Sequence, residues 1–327
     1  MDEFDYVRRK LIERILHLTE KQPVVKPLPG LTVGRRESPT EPSTYILPPS
    51  ICIAVQGAKR VLIGEEYYVY DVENFLLNSF DVPVVAQVIE ASKEKPYIGM
   101  TWEIDMEILM EIVVEQKLNT RPITSSRGTS LGKVTHQLLD AFRRMLELLD
   151  EPEHISALLP VIKKEIIYRL LVSEQGPRLI QIALSGKNDV ITALNYLKEH
   201  FSESVNMKRL AEMVGMSVST FYQNFKILTG MTPLQYQKKL RLCEARKLLM
   251  AGSDVTTTAY QVGYESLSQF SREYKRFFGV SPSQDAKKAC GFKKFIPKTY
   301  SQLVIFFKVS ISNFFVSPNA SQRVLLL

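Results

Sequence analysis

The sequence predicts an α+β protein, with a strand-rich N-terminal domain and an all-α C-terminal domain. Short apolar or alternating runs between about residues 28 and 104, separated by turn residues, are typical of a β-sandwich or barrel. Further along, a segment occurs twice: residues 211–233 read AEMVGMSVSTFYQNFKILTGMTP, and residues 259–282 read AYQVGYESLSQFSREYKRFFGVSP. Both copies carry apolar residues at helical spacing, which predicts one small helical unit built twice.

The N-terminal domain is predicted to occupy residues 1–187. An amphipathic helix opens it over residues 4–19, the strands follow, and helices occupy about residues 105–185. Three of those helices are predicted over Met106–Glu115, Leu131–Leu149 and Pro152–Val172. Gly and Pro pairs near residues 176 and 186 mark the hinge into the second domain, which is predicted to occupy residues 188–289.

The Leu131–Leu149 segment carries a wide apolar stripe that admits two interpretations. It could cover the strands of its own domain, or it could form the seam of a dimer, and both could hold at once. The stripe residues that we assign to dimerisation are Leu131, Leu138, Phe142 and Met145.

Each copy of the duplicated segment has the internal spacing of a helix-turn-helix. A tight corner between two helices needs a small residue at the crossing, then a residue that tolerates a left-handed turn, then a cap for the next helix. In the first copy these residues are Ala211, Gly215 and Ser217. In the second copy they are Ala259, Gly263 and the pair Glu265–Ser266, with one extra residue before the first Phe of the following helix.

The second helix of each copy turns polar side chains away from its apolar face. These side chains are Ser219, Gln223 and Lys226 in the first copy, and Ser268, Arg272 and Lys275 in the second. Gln and Arg can make bidentate contacts to base edges, and Lys suits phosphate or guanine. A helical bundle whose repeats merely pack is the alternative, but the duplication and the paired polar triplets favour two units that read DNA.

A capped helical stretch, Thr232–Met250, separates the two copies. Its 19 residues would span about 28 Å at about 1.5 Å per residue. Recognition helices on one face of DNA lie about 34 Å apart. The linker therefore has about the length needed to place the copies in successive major grooves.

Charge divides the chain in the same places as the patterns do. Residues 1–187 hold 23 Lys or Arg and 26 Asp or Glu, a net charge of −3, which excludes this part as a nucleic-acid platform. Residues 188–289 hold 14 and 9, a net charge of +5, which is compatible with one. Residues 290–327 hold five basic and no acidic residues, and we predict an atypical, poorly ordered tail there.

Several features bound the functional class. Three widely separated cysteines predict a reducing cytoplasm, and the charged start of the chain predicts no signal peptide. All four histidines lie outside the strand region, at His17, His136, His154 and His200. We therefore expect no metal, no cofactor and no enzymatic activity, since metal-binding barrels ligate through strand His and Glu.

These residues resemble the AraC/XylS family of bacterial transcription regulators. The resemblance rests on RLCEARKLL (Arg241–Leu249), VGYES, FSREYKRFFG and VSP within residues 189–288, and on residues 28–100 upstream, which resemble one AraC-type N-terminal domain. It implies a cupin-like β-barrel with flanking helices that senses an effector and dimerises, followed by a tandem helix-turn-helix domain. The base-reading positions that it implies are Ser219, Gln223, Ser268, Gln269 and Arg272.

The resemblance also sets the expected partners: double-stranded DNA, a small-molecule effector, RNA polymerase and a second copy of the chain, with no membrane. Most such regulators activate. Candidate effector contacts are the polar strand residues Gln56 and Gln87 and the sole Trp102, with plain barrel packing as the alternative. Two rival functions are a cupin-type enzyme that carries a DNA-targeting module and an architectural protein without an effector.

Overall fold

The computed structural model describes residues 2–118, 127–183 and 190–293. The chain divides into two compact units. One runs to Glu244 and also includes Gln261–Tyr264; the other comprises Ala245–Tyr260 and the residues from Glu265 onward. The α+β fold class, with strands first and a helical helix-turn-helix region after them, is confirmed. The predicted domain boundary falls at residues outside the described ranges and stays a prediction.

The first unit contains all the described strands. They are β1 (Val24–Leu28), β2 (Leu31–Arg36), β3 (Ser43–Leu47), β4 (Ser50–Gln56), β5 (Ala58–Ile63), β6 (Glu66–Tyr70), β7 (Asn74–Asn78), β8 (Val82–Glu90), β9 (Tyr97–Glu103) and β10 (Thr129–Lys133). Its helices are α1 (Glu3–Leu18), α2 (Met106–Glu115), α3 (His136–Glu147), α4 (Ile155–Leu171), α5 (Gly176–Ala183), α6 (Val190–Glu199), α7 (Met207–Met213) and α8 (Val218–Thr229).

Four helices follow. They are α9 (Pro233–Ala251), α10 (Val255–Gln261), α11 (Leu267–Phe278) and α12 (Pro282–Lys293). The helix α9 is an uninterrupted 19-residue linker, as predicted. The predicted tail begins within α12, and its residues 294–327 lie outside the described part of the chain. Among the described residues, no helix combines the length and the hydropathy that crossing a membrane requires.

The strands form two antiparallel sheets. Six strands pair in the order β1-β2-β9-β4-β7-β10, and four pair in the order β3-β8-β5-β6. The six-stranded sheet is buried on both sides at its centre, so β4 does not show the simple alternation of a half-exposed strand. In β4, Ile51 and Ile53 belong to the cluster that packs with the helices, whereas Cys52 and Ala54 face the inter-sheet core.

The predicted helix at Leu131–Leu149 begins later than expected. Leu131 lies in β10, opposite Leu76, and α3 begins only after the N-cap Thr135. The strand forms because residue 132 is a glycine: the ring of Phe75 lies over it, and an added Cβ would sit 2.3 Å from that ring. A helix starting at Leu131 is therefore wrong, since pairing with β7 decides the conformation here.

The apolar face of α3 covers the six-stranded sheet. Leu138, Phe142 and Met145 are all buried, and the Phe142 ring meets Trp102 edge-on with ring centres 6.1 Å apart. These side chains belong to one hydrophobic cluster with strand residues such as Met100. The covering interpretation of the stripe is therefore correct, and three of the four proposed dimer contacts are already buried within a single chain.

A second hydrophobic cluster joins the four-stranded sheet to the first helix-turn-helix copy. It contains Val61 and Val84 from β5 and β8, and Leu194, Phe221 and Phe225 from α6 and α8. Because burial of apolar area stabilises at about 25 cal/mol per Å², a shared cluster of this kind fixes the first copy on the sheet.

Candidate nucleic-acid interface

The first copy has the corner that its sequence predicts. Gly215 ends α7 with φ +67, and an added Cβ there would meet nothing within 4 Å. The dihedral angle, rather than a lack of space, therefore makes glycine favourable at this position. Ser217 then caps α8, its Oγ accepting a hydrogen bond from the Thr220 amide at 3.2 Å, and Gly230 ends α8 with φ +74.

The second copy has the same left-handed glycine, N-cap serine and terminal glycine, with one difference in its turn. Gly263 has φ +87, and here an added Cβ would lie 1.9 Å from the Ser202 carbonyl oxygen. Ser266 caps α11 by accepting a hydrogen bond from the Gln269 amide at 3.3 Å. The extra residue lies in the turn before this cap, so α8 and α11 are both 12 residues long. Gly279 ends α11 as Gly230 ends α8.

The duplication extends further than the sequence analysis recognised. After each terminal glycine, a hydroxyl residue and a glutamine cap the next helix reciprocally. The Thr232 amide donates to Gln235 Oε1 at 2.9 Å, and the Gln235 amide donates to Thr232 Oγ1 at 3.3 Å. Ser281 and Gln284 make the same pair at 3.0 and 3.3 Å. This is a capping box, and its Ser/Thr-x-x-Gln signal was readable in TPLQ and SPSQ.

All seven predicted base- and phosphate-contacting side chains are exposed. They are Ser219, Gln223 and Lys226 on α8, and Ser268, Gln269, Arg272 and Lys275 on α11. Each helix brings its own set together because Phe221 and Phe225, or Phe270 and Tyr274, are buried on the opposite side. Within the described residues, no carboxylate forms an ion pair with Lys226, Arg272 or Lys275. These cations are therefore available to phosphate or base edges.

The end of α8 is tied to the sheet domain. The Arg127 guanidinium pairs with Glu66 at the start of β6 and donates to the Lys226 carbonyl at 3.2 Å. The Gly128 amide donates to the Leu228 carbonyl at 3.1 Å. Carbonyls in the last turn of a helix need partners from outside the helix, and residues 127–128 supply two of them. The first recognition helix is thus held at its C-terminal end, away from Ser219 and Gln223.

Asp81 adds a second attachment between the sheet domain and the helices. Its carboxylate pairs with Lys198 at 2.6 Å, and its carbonyl accepts a hydrogen bond from the Tyr236 hydroxyl at 2.6 Å. Burial raises the pKa of Tyr236, with a further contribution from the Asp81 charge, so this phenol remains a hydrogen-bond donor at neutral pH.

The linker α9 carries a positioning residue that sequence analysis missed. Arg241 donates to the carbonyls of Phe201, Glu203 and Gly263 at 2.7, 2.7 and 2.8 Å. Gln237, one turn earlier, donates to the first two of these carbonyls. Five donors in a planar fork suit such a convergence, which lysine could not reproduce. Arg241 thereby holds the loop after α6 and the turn of the second copy.

Within the second unit, a polar triad holds α11 against α12. Asp285 is 1% exposed and accepts from the Tyr274 hydroxyl at 2.9 Å and from Arg246 Nε at 3.1 Å. The Arg246 guanidinium also lies 4.6 Å from the centre of the Phe278 ring. A buried carboxylate needs such partners, since an isolated buried charge is costly. The triad therefore fixes the back of the second recognition helix.

The three candidate effector contacts lie apart from one another. Gln56 donates to the Pro96 carbonyl at 2.7 Å, and Gln87 accepts from Arg60 at 2.8 Å on the exposed face of the four-stranded sheet. Trp102 is 1% exposed and packs with Phe142 in the helix-side core. Structural contacts therefore account for each of the three, and their role toward an effector stays a prediction.

A cavity of about 140 Å³ lies on the inner face of the six-stranded sheet. Its lining comes from β1, β2, β5, β8 and β9 and includes Lys59, Tyr97 and Thr101. The histidines lie elsewhere, on helices or in turns, as the sequence indicates. In the described part of the chain, no three His, Cys, Asp or Glu side chains are grouped so that they could hold a metal ion.

Comparison with protein families gives two matches that follow the two predicted halves of the chain. Residues 27–178 match the AraC-type transcriptional regulator N-terminus, and residues 210–288 match a helix-turn-helix domain. Among curated relatives, the HTH-type transcriptional activator RhaS of Escherichia coli (strain SE11) is 29% identical over 162 residues. That alignment covers 49% of this chain and 58% of RhaS, so the chain spans little more than half the length of the relatives it matches.

Solved structures of ToxT from Vibrio cholerae share the fold. An apo ToxT variant of strain SCE256 aligns with a TM-score of 0.51 at 12% identity, covering 79% of this chain and 97% of that one. ToxT of strain O395 bound to (E)-4-(8-methylnaphthalen-1-yl)but-3-enoic acid aligns with a TM-score of 0.53 at 14% identity, covering 79% and 99%. The comparisons give no support to the cupin-type enzyme. With both halves matched in order, the chain belongs to the AraC/XylS family of transcriptional regulators and has an AraC-type N-terminal domain.

Proposed function

We propose that this protein is a sequence-specific DNA-binding regulator that reads two adjacent major-groove segments through α8 and α11. The observation that carries the proposal is the matched pair of 12-residue helices, each capped alike and each exposing polar side chains opposite a buried aromatic pair. Helices that present an N-terminal polar face in this way fit the major groove. The α9 linker is long enough to separate two such contacts by about one turn of DNA.

The side chains divide into two roles. Gln223, Gln269 and Arg272 read base edges, because amide and guanidinium groups make bidentate contacts there. Lys226 and Lys275 position the protein on phosphates, since a lysine acts as a point charge. Ser219 and Ser268 are short and can approach either kind of group.

A binding footprint across the genome tests the proposal. We expect discrete sites, and we expect the purified chain to bind such a site at least about a thousandfold more tightly than a shuffled duplex at physiological salt. Equal affinity for both duplexes would overturn the proposal and favour the architectural alternative.

The proposal extends to activation of transcription through contact with RNA polymerase in the cytoplasm. RhaS is a transcriptional activator, and Cys52 is a buried thiol outside any disulfide, as suits a reducing compartment. Transcription from a promoter that carries the footprint should rise when the purified chain is added to polymerase. A fall in transcription would show repression instead.

The same function would use a homodimer, and α4 presents the surface for it. Leu158, Val161, Tyr168 and the C-cap Val172 are 44–63% exposed and are spaced by three, seven and four residues, while the opposite side of α4 is buried. Apolar side chains on the exposed side of a helix are stabilised when a partner covers them. Leu158 and Val172, and Val161 and Tyr168, are placed almost symmetrically in sequence about Glu165. Two antiparallel copies of α4 would therefore bring the members of each pair together, as an interface between identical copies requires.

Two substitutions to glutamate distinguish α4 from α3. Val161→Glu should give a folded monomer in sedimentation, with Val114→Glu, an exposed apolar site on α2, as its matched control. Leu138→Glu should instead unfold the chain, because its side chain is buried in the core. A Val161→Glu protein with an unchanged oligomeric state would exclude α4 as the interface.

We further propose that an effector binds within the N-terminal domain and shifts the DNA geometry that the protein favours. The inter-sheet cavity is the site that supports this, since it is lined by strands of the domain to which the first recognition helix is attached. A ligand can shift such an equilibrium only by its differential affinity for the two states.

A further inference from the structure

We infer that the inter-sheet cavity binds a small organic carboxylate, with the Lys59 ammonium as its counter-ion and an apolar wall for its carbon chain. The inference rests on the proposed regulatory function, because it names the class of effector that the N-terminal domain would sense.

The lining of the cavity includes a cross-strand pair of residues that have no side chains. Gly34 of β2 lies directly opposite Gly99 of β9, and both line the cavity. Gly99 also leaves room for the Tyr97 side chain, whose hydroxyl would be 2.3 Å from an added Cβ. A volume of about 140 Å³ is close to that of cavities that hold a single benzene ring. The ligand is therefore small.

The charge of Lys59 indicates that the ligand is an anion. It is on the inner side of β5, and its ammonium group donates to the Tyr45 hydroxyl at 3.3 Å. No carboxylate lies within ion-pair distance of it among the described residues. Burial opposes the charged form, but the neighbouring Tyr45 outweighs this effect, together with Tyr97 and Cys52, and the pKa of Lys59 lies above its ordinary value. A partly buried cation without a carboxylate partner is what an anionic ligand would complete.

The rest of the lining defines the ligand further. Thr32 and Thr101 carry hydroxyls and face each other across β2 and β9. Arg36 also lines the cavity, and its guanidinium donates to the carbonyls of Pro23 and Arg35. No aspartate or glutamate is among the described residues that line the space. Hydroxyls and cations that converge without acidic neighbours favour a carboxylate or phosphate oxygen.

The apolar part of the lining favours a carboxylate over a phosphate. Val24 of β1 and Val88 of β8 supply the apolar side chains of the wall. A phosphate would leave its outer oxygens against these side chains, and an unpaired polar group in apolar surroundings is unfavourable. A monocarboxylate has one polar end and one apolar end, as the cavity has.

One strand connects this cavity to the first recognition helix. β5 carries Lys59 and ends at Ile63, and the next residue, Gly64, packs on Gly230, the C-terminal cap of α8. An added Cβ on Gly64 would lie 2.4 Å from the Gly230 carbonyl oxygen, so the two backbones are in direct contact. A ligand that shifts β5 would therefore move the backbone against which the C-terminal end of α8 packs.

Calorimetric titration of the full chain tests the inference. The probes are the straight-chain carboxylates from acetate to hexanoate, the corresponding primary amides as neutral controls of the same shape, and inorganic phosphate. We expect one carboxylate per chain, with affinity rising with chain length until the cavity is full, and no binding of the amides. Equal binding of amide and acid, no binding by any acid, or phosphate as the tightest ligand would each overturn the inference.

Two variants locate the site. Lys59→Met should weaken binding at least tenfold, whereas Lys93→Met, at an exposed lysine, should leave it unchanged. Gly34→Ala should weaken binding of hexanoate more than of acetate, and its added Cβ meets only ordinary contacts 3.5 Å away. If Lys59→Met fails to fold, two measurements still test the inference. They are the affinities of Gly34→Ala for carboxylates of increasing chain length and the affinities of the wild-type chain for acids and their amides. Unchanged affinity in folded Lys59→Met would contradict the inference.

DNA binding separates this inference from the proposed function. If the wild-type chain binds its footprint sequence specifically but binds no carboxylate, only the inference about the cavity is wrong. A chain that does not discriminate its footprint from shuffled DNA would sink the proposed function, whatever the cavity binds. If both bind, carboxylate and DNA must alter each other's affinity by the same factor for the β5 connection to hold, and a factor of one would overturn that connection.

Discussion

The two helix-turn-helix copies share a backbone and differ in what holds them. The first shares a hydrophobic cluster with the four-stranded sheet, and residues 127–128 tie down the end of its recognition helix. The second is supported in its own unit by the triad of Asp285, Tyr274 and Arg246. The two copies therefore share the residues that set the backbone, whereas the surfaces through which each copy is supported are different.

The exposed polar faces of the two recognition helices also differ, in their capacity to form hydrogen bonds. The first copy offers Ser219 and Gln223, and the second offers Gln269 and Arg272, which have more hydrogen-bonding capacity. We infer that the second copy anchors the protein on DNA, whereas the first is placed to respond to the sensor domain. Four substitutions test this difference between the two copies.

The largest effect should follow from Asp285→Ala. It leaves the Tyr274 hydroxyl and Arg246 without their buried acceptor, and loss of one partner of a buried pair costs on the order of 3 kcal/mol. Amide hydrogen exchange should show α11 losing protection while α8 keeps it, and specific DNA binding should fall. Glu265→Ala, an exposed change before the same helix, is the control. Equal loss of protection in α8 would show that the copies are not supported separately.

Arg272→Ala should come next. We expect it to cost about 1–3 kcal/mol on the footprint sequence and to relax one base preference. Gln223→Ala, the matched change in the first copy, should cost less. Affinities on footprint and shuffled duplexes give the measurement. If Gln223→Ala proves the more costly, the second copy is not the anchor, and equal losses on both duplexes would mean that Arg272 touches phosphate only.

A smaller and more uniform effect is expected at the lysines. Lys226→Gln and Lys275→Gln should each weaken binding to all sequences and lower the slope of log affinity against log salt by about 1. Salt titrations of the two variants would be compared with Lys133→Gln, an exposed lysine on β10. A variant whose slope is unchanged would lose its assignment as a phosphate contact.

The smallest effect should come from Arg127→Ala. Both members of its ion pair are partly exposed, so we expect less than about 1 kcal/mol in global stability. Protection of the last turn of α8 should nevertheless fall, because the Lys226 carbonyl loses a donor. Arg60→Ala, at another arginine of the same domain, should leave that turn unchanged. If amide protection of this turn is unchanged in Arg127→Ala, the contact of Arg127 with the Lys226 carbonyl does not stabilise the end of α8.

Local rules account for the parts that sequence analysis predicted well. The left-handed glycines, the caps Ser217 and Ser266 and the α9 linker all follow from neighbouring residues, and they are confirmed. Apolar spacing predicts a helix at Leu131, because spacing alone does not distinguish a short strand from the start of a helix. Its strand conformation is decided by β7, more than 50 residues away in sequence.

The two helix-turn-helix units and their exposed side chains can be predicted from sequence, because capping, turn chemistry and helical periodicity act within a few residues. Tertiary packing, in contrast, determines that the apolar face of α3 is covered while one side of α4 is exposed, and that Lys59 lines the same cavity as Gly34 and Gly99. Those outcomes depend on strand register and on which faces pack together. Contacts between distant segments set both, and no local pattern records them.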